Sequence, residues 1–317
     1  MSDLNVLDCV GNTPLLEINM DGCRIYAKAE YFNPSGSVKD RAAKLMLLEA
    51  IADGRLTKDK IILDSTSGNT GIAYAMFGAA LGYKVTLCLP SNASMERKKI
   101  LKAYGAEIIE TDPLESSDGA YLKAVEIAKS DPDKYFFPDQ YNNDANWKAH
   151  YYNTAVEILK QTAEISPPAK PGLPAGRVSS AGASPLTHFV AGTGTSGTFT
   201  GIAKRLKEDK PDVIITLMQP DSPFHGLEGM KHMETTLKPG FFNREIADRE
   251  IEVGTEEAYN MVRRLAKEQG IFVGVSSGAN VHAALEIAKT APKDAVIVTI
   301  LCDNGYRYLT EPIWRDL

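Results

Sequence analysis

Ile61-Ile62-Leu63-Asp64-Ser65-Thr66-Ser67-Gly68-Asn69-Thr70-Gly71 is the stretch whose reading decides the fold. Positions 61–64 read as a short strand. The helix predicted over 70–81 carries Ile72, Ala73, Ala75, Met76, Phe77, Ala79 and Ala80, so it is apolar nearly all round and belongs inside a domain. Between the two lies a turn of hydroxyls, one amide and the exposed N–H groups of a helix start. Ligands of open α/β sheets bind at such strand ends, and this turn makes a neutral cradle for a small anion such as a carboxylate. Capping of the helix by Ser67 or Asn69 is the simpler alternative.

The same strand-then-helix unit repeats outward. Strands are predicted over 84–89, 106–109, 187–191, 213–218 and 295–301. Helices are predicted over 94–104, 116–128, 146–160, 198–207, 256–269 and 277–289. Upstream, Gly11-Asn12-Thr13-Pro14 makes a turn before short strands at 15–18 and 24–29. Regular alternation implies parallel sheets covered on both faces, in two α/β halves. Segment 166–184, rich in Pro, Gly, Ala and Ser, reads as a flexible surface loop. Arg97, Lys98, Lys99 and Lys102 read as a solvated helix face rather than a patch for an acidic partner.

A second chemical stretch is Asn33-Pro34-Ser35-Gly36-Ser37-Val38-Lys39-Asp40-Arg41. Turn residues give way to apolar side chains at helical spacing (Val38, Ala42, Leu45, Leu48, Ala52), so Lys39 sits at a helix mouth. Unpaired N–H groups there disfavour an ammonium and make a neutral amine easier to reach, which suits a Schiff-base lysine. An ordinary surface lysine opening an amphipathic helix is the other reading.

A third, Gly192-Thr193-Gly194-Thr195-Ser196-Gly197-Thr198, again joins strand to helix. Backbone N–H groups and hydroxyls at a helix start suit a phosphate. Gly192, Gly194 and Gly197 also match the dinucleotide fingerprint, with Asp221 about one βα unit further on, so a nicotinamide-dependent oxidoreductase is an alternative. The interleaved hydroxyls favour a terminal phosphate. Gly274-Val275-Ser276-Ser277-Gly278 taken alone is a helix cap, and Cys302-Asp303-Asn304-Gly305 a turn after the last strand.

Composition bounds the rest. A chain of 317 residues, 44% hydrophobic, can bury a large core and suggests two domains, interleaved or in series. A net charge of -6 without a long basic run argues against nucleic acid as partner. Cys9, Cys23, Cys88 and Cys302 are scattered, and no apolar leader opens the chain, so the expected home is the cytoplasm, with no membrane span. The five histidines are dispersed, and no metal is expected.

In this order, the lysine loop, 66–71, Gln140 with Asn142 and Asn143, 194–198 and 274–278 resemble the cysteine synthase and cystathionine β-synthase group of pyridoxal-phosphate enzymes, fold type II. The resemblance runs from Gly11 to Leu309. It implies two interleaved open αβα subdomains with mainly parallel twisted sheets: a smaller mobile one over about 43–147, and a larger one from 1–42 with 148–317. It implies that Lys39 holds pyridoxal 5′-phosphate and moves the proton at the substrate's α-carbon. Asn69 would meet the ring hydroxyl, Gly194, Thr195, Ser196, Gly197 and Thr198 the phosphate, and Ser276 the pyridine nitrogen. Thr66, Ser67, Thr70 and Gln140 would grip the substrate carboxylate.

The implied reaction replaces the leaving group of an activated serine, O-acetylserine or O-phosphoserine, by sulfide through an aminoacrylate, giving L-cysteine. Condensation of serine with homocysteine is the alternative within the family. A homodimer, and a serine acetyltransferase or sulfur-carrier protein as partner, are also implied. Three departures stand out. The 166–184 loop is long. Ala155-Val156 replaces the usual Gly-Pro before Glu157. Lys231, between His225 and His232, lies where some relatives carry an arginine for a substrate phosphate.

Overall fold

The computed structural model describes residues 5–66, 68–165 and 184–314. Along the chain run β1 (Leu15–Met20), β2 (Cys23–Ala29), α1 (Lys39–Ala52), β3 (Ile61–Ser65), α2 (Asn69–Leu81), β4 (Val85–Pro90), α3 (Met95–Ala103), β5 (Glu107–Thr111), α4 (Ser116–Ser130) and β6 (Tyr135–Phe136). Then come α5 (Ala145–Ala149), a π-helical turn (His150–Thr154), α6 (Ala155–Ala163), β7 (Leu186–Gly192), α7 (Gly197–Asp209) and β8 (Ile214–Pro220). β9 (Arg249–Val253), α8 (Thr255–Gln269), α9 (Val275–Thr290) and β10 (Val296–Leu301) complete the set.

Two sheets result. The order β5-β4-β3-β6 is parallel throughout, and β1-β2-β10-β7-β8-β9 is parallel except for the β1–β2 hairpin. The expected α/β class with mainly parallel sheets is therefore what forms. All strands of the smaller sheet come from one continuous stretch, whereas the larger one draws on both sides of it. Because the strands are parallel, the loops after β2, β3, β7 and β10 leave from carboxyl ends, where α/β ligands bind. An isolated bridge between Ser37 and Asp303 ties two of those loops together.

Helix α2 is buried from Thr70 to Gly78 and packs on α1, β3 and β4, as its all-round apolar sequence requires. The helix expected over 146–160 forms, but a π turn interrupts it. Strand β9 was not anticipated: Arg249, Glu250 and Glu252 leave only Ile251 and Val253 as apolar positions in a strand that lies at a sheet edge. The loop expected at 166–184 lies outside the described residues except for Ser184, which is buried and meets Thr162 at 2.6 Å.

The basic face expected on α3 is only half solvated: Lys99 and Lys102 are exposed, whereas Arg97 and Lys98 turn inward. Lys98 is buried, donating to the Ser91 carbonyl at 2.6 Å and pairing with Glu110 at 2.7 Å. Arg97 is buried too, paired with Glu228 and lying 5.4 Å from the Tyr308 ring centre. A long basic side chain can run inward from a helix when a carboxylate meets its end.

The start of α1 is held by a buried ion network. Arg41 donates to Glu30 at 2.6 and 2.8 Å and to Glu157 at 2.7 and 2.8 Å, and Lys28 reaches Glu157 at 2.6 Å. Burial alone would raise the Glu157 pKa, but Arg41 and then Lys28 hold it down to about 2. Its folded value lies below the ordinary carboxylate value, so its stabilisation is complete above the unfolded pKa and is lost as pH falls toward the folded one. Arg41→Met would leave Glu30, fully buried, without its cation. We expect a loss of about 3–5 kcal/mol in urea unfolding; a change below about 1 kcal/mol, ordinary for a surface pair, would contradict this account.

Candidate active site

Lys39 is the first residue of α1, and its side chain lines a cavity of about 220 Å³ walled by residues from both sheets. Burial lowers its amine pKa below the ordinary lysine value, while Cys302 and Asp303 pull it upward. Desolvation thus adds to the helix-mouth effect read from the sequence. The neighbouring Cys302 thiol is pushed up to about 11 by burial, so it stands as a neutral thiol beside the amine.

Opposite, the loop after β3 brings Thr66, Asn69 and Thr70 to the same cavity, together with Gln140. Thr70 donates to the Gln140 side-chain oxygen Oε1 at 2.9 Å, and Gln140 Nε2 donates to the Ser65 backbone carbonyl at 3.0 Å. That chain fixes the rim of the cradle. Ser67 lies outside the described residues. The Asn69 amide is oriented at both ends: its nitrogen donates to Asp303 at 2.7 Å, and its oxygen accepts from Arg307. Asp303 also accepts from Tyr308 at 2.7 Å.

The loop after β7 supplies Gly194, Thr195, Ser196, Gly197 and Thr198, all lining the cavity. Ser196 stands at the cap of α7 with a left-handed backbone (φ 63°), a conformation costly for a non-glycine residue and frequent at functional sites. Gly194 cannot carry a side chain, since a Cβ would lie 2.1 Å from the Gly229 carbonyl oxygen. Among the described residues the Ser196 hydroxyl is buried without a hydrogen-bond partner. A helix start, a forced glycine and an orphaned hydroxyl fit a phosphate monoester, which offers acceptors only. Ser276, near the start of α9, and Lys231 line the same cavity. Lys231 lies 3.5 Å from Asp118, donates to Thr236 at 3.0 Å and sits 4.7 Å from the Tyr141 ring centre.

Every described site residue expected from the sequence therefore lines one cavity. Sequence reading missed other wall residues, among them Arg97, Glu228, Tyr141, Asn280 and Tyr308. Asn280 accepts from Gly192 N–H at 2.8 Å and donates to the Ile300 carbonyl, stitching α9 to β7 and β10. An asparagine inside an apolar helix was its only signal. Among the described residues no His, Cys, Asp and Glu cluster could hold a metal ion.

A desolvated lysine facing an anion cradle across one small cavity defines a protein that holds a phosphorylated carbonyl cofactor. The family profile for "Pyridoxal-phosphate dependent enzyme" matches residues 6–303, and the chain belongs to that family. It is 47% identical to the cysteine synthase of Aquifex aeolicus, over 98% of this chain and 92% of that one. Among solved structures, a cysteine synthase from Entamoeba histolytica superposes with a TM-score of 0.86 at 35% identity, covering 98% of this chain and 90% of the other. An O-acetylserine-dependent cystathionine β-synthase from Helicobacter pylori gives 0.86 at 32% identity, covering 99% of each. The fingerprint at Gly192, Gly194 and Gly197 therefore belongs to a pyridoxal-phosphate enzyme, and the nicotinamide reading falls.

Asp64, at the end of β3 beneath the cradle, is fully buried, and burial pushes its pKa up to about 7. A carboxyl whose folded pKa exceeds its unfolded one stabilises the fold while protonated and loses that contribution as pH rises through the folded value. Asp64→Asn should remove a decline in stability of up to roughly 4 kcal/mol between about pH 4 and 7. Thermal melts across that range check it; identical profiles for the two proteins would contradict it.

Proposed function

We propose that this chain makes L-cysteine from an activated serine and sulfide. The convergence of one desolvated lysine, one phosphate cradle and one carboxylate cradle on a single cavity carries this reading. Pyridoxal phosphate, when bound, supplies an electron sink that makes an amino acid's α-proton acidic and lets its β-substituent leave. Lys39 would hold the cofactor's aldehyde carbon, Asn69 and Ser276 its ring, and 194–198 its phosphate.

Each residue's task follows from its chemistry. The amine of Lys39, lowered in pKa, can take the substrate's α-proton and later return one. Asn69, with its oxygen engaged by Arg307 and one N–H by Asp303, has its second N–H left to donate toward a ring oxygen. Ser276 is a neutral hydroxyl; facing the pyridine nitrogen it would leave that nitrogen largely unprotonated, which favours β-elimination over transamination. Thr66, Ser67, Thr70 and Gln140 would hold the substrate carboxylate, with 43–147 moving as the smaller unit to exclude water.

O-Acetylserine is the first choice of substrate and O-phosphoserine the second. Lys231 is a point charge already engaged by Asp118 and Thr236, without arginine's bidentate fork. Sulfide is the nucleophile assigned, and the homocysteine reaction ranks behind it. The working form is a cytoplasmic homodimer, and a serine acetyltransferase or a sulfur-carrier protein are the partners to test.

The purified protein should be yellow and form cysteine from O-acetylserine and sulfide. Lys39→Ala should reduce turnover by roughly 10²–10⁴-fold or more. A colourless protein that stays inactive after cofactor addition would sink the proposal. Lys231→Ala should leave O-acetylserine turnover within a few fold and abolish any use of O-phosphoserine; equal effects on both substrates would remove Lys231 from leaving-group recognition.

A further inference from the structure

His150 is a buried titratable side chain beside the phosphate cradle that the reaction above does not use. It opens the π turn between α5 and α6. Its Nε2 lies 3.3 Å from Thr198 Oγ1, and its Nδ1 lies 2.9 Å from Thr154 Oγ1. Among the described residues neither hydroxyl has another side-chain partner. The contact depends on close packing of α5 and the π turn against α7. A Cβ at Gly201 would lie 2.1 Å from the Trp147 carbonyl oxygen and 2.9 Å from the His150 Cβ, so only glycine admits the approach.

The imidazole is neutral. Burial lowers its pKa well below the ordinary value, Arg41 and Lys39 act in the same direction, and Glu157 opposes them. A neutral ring carries one N–H, so two wirings are open to it. With the hydrogen on Nδ1, Nε2 accepts from Thr198, and that hydroxyl turns only lone pairs toward the cradle. With the hydrogen on Nε2, the Thr198 oxygen accepts, and its own hydrogen is left for the cradle. A phosphate dianion offers acceptors only, so it is bound by the second wiring. The same wiring satisfies the buried Thr154 hydroxyl, which then donates to Nδ1.

We propose that His150 is a positioning residue for the cofactor phosphate: as the Nε2–H tautomer, with Thr154 donating to its Nδ1, it donates to Thr198 and commits the Thr198 hydroxyl to donate to a phosphate monoester. This rests on the assignment of 194–198 to the phosphate. ¹⁵N-histidine-labelled holoenzyme should show His150 with a protonated Nε2 and a bare Nδ1; a protonated Nδ1 overturns the proposal.

The full chain freed of cofactor is then titrated with pyridoxal 5′-phosphate and with pyridoxal. His150→Leu should weaken the phosphorylated compound roughly tenfold and leave pyridoxal unchanged. His150→Gln, which restores an N–H near the Nε2 position, should recover most of the loss. If Thr198→Val weakens pyridoxal 5′-phosphate and His150→Leu does not, the inference is wrong while the phosphate site stands. If neither variant matters, the assignment of 194–198 fails, and the inference with it. Circular dichroism checks folding; should His150→Leu not fold, the tautomer and His150→Gln decide, unimpaired glutamine binding supporting the proposal and a tenfold loss opposing it.

Discussion

The buried network of Lys28, Glu30, Arg41 and Glu157 is the constraint on which the site depends. Lys39, Asp40 and Arg41 are consecutive in the first turn of α1, so their side chains leave the helix about 100° apart. Arg41 is gripped by Glu30, next to β2, and by Glu157 of α6. Asp40 turns back to the Ser35 N–H at 2.7 Å, and burial pushes its pKa up to about 6. With two of three directions fixed by buried polar contacts, the third is fixed as well, and Lys39 faces the cavity. The ion network orients an amine it never touches.

The contacts that bridge the two sheets belong to the cavity wall itself. Asn69 opens α2 in the smaller half and meets Asp303, which follows β10 in the larger one. Arg97 of α3 meets Glu228, beyond β8, and the ring of Tyr308. Parallel strands bring every loop that carries chemistry to one side of its sheet, and these polar pairs knit the two sides into one site. Burial of Arg97 and Asp303 makes each pair's geometry consequential, since an isolated charge there is costly.

Most of the fold was legible in alternation. Strand and helix periods placed eight of the ten strands found among the described residues, the exceptions being two-residue β6 and charged β9. Packing decided what pattern could not. Lys98 and Arg97 look solvent-facing in sequence because nothing local marks Glu110 and Glu228 as their partners. The π turn was not read from pattern, although His150, Tyr151, Tyr152, Asn153 and Thr154 are all weak helix formers; α7 packs close against it at Gly201. The loops around Lys39, Asn69 and Ser196 each had an ordinary alternative in capping or a surface lysine, and became legible through their joint order along the chain, which resembles one family. That these loops face one cavity required the sheet order.

The sheet edges bear on how the protein behaves at high concentration. β9 shows Arg249, Glu250 and Glu252 on one edge of the larger sheet, and β1 shows Glu17 and Asn19 on the other. The smaller sheet ends in β5, with Glu107 and Glu110 exposed, and in the two-residue β6. Each edge is either charged or too short to template a new strand, the devices by which β-containing proteins avoid fibrous growth. Colloidal solubility in a crowded solution is thus written into the same edge strands whose charge concealed one of them from a hydrophobic-pattern reading.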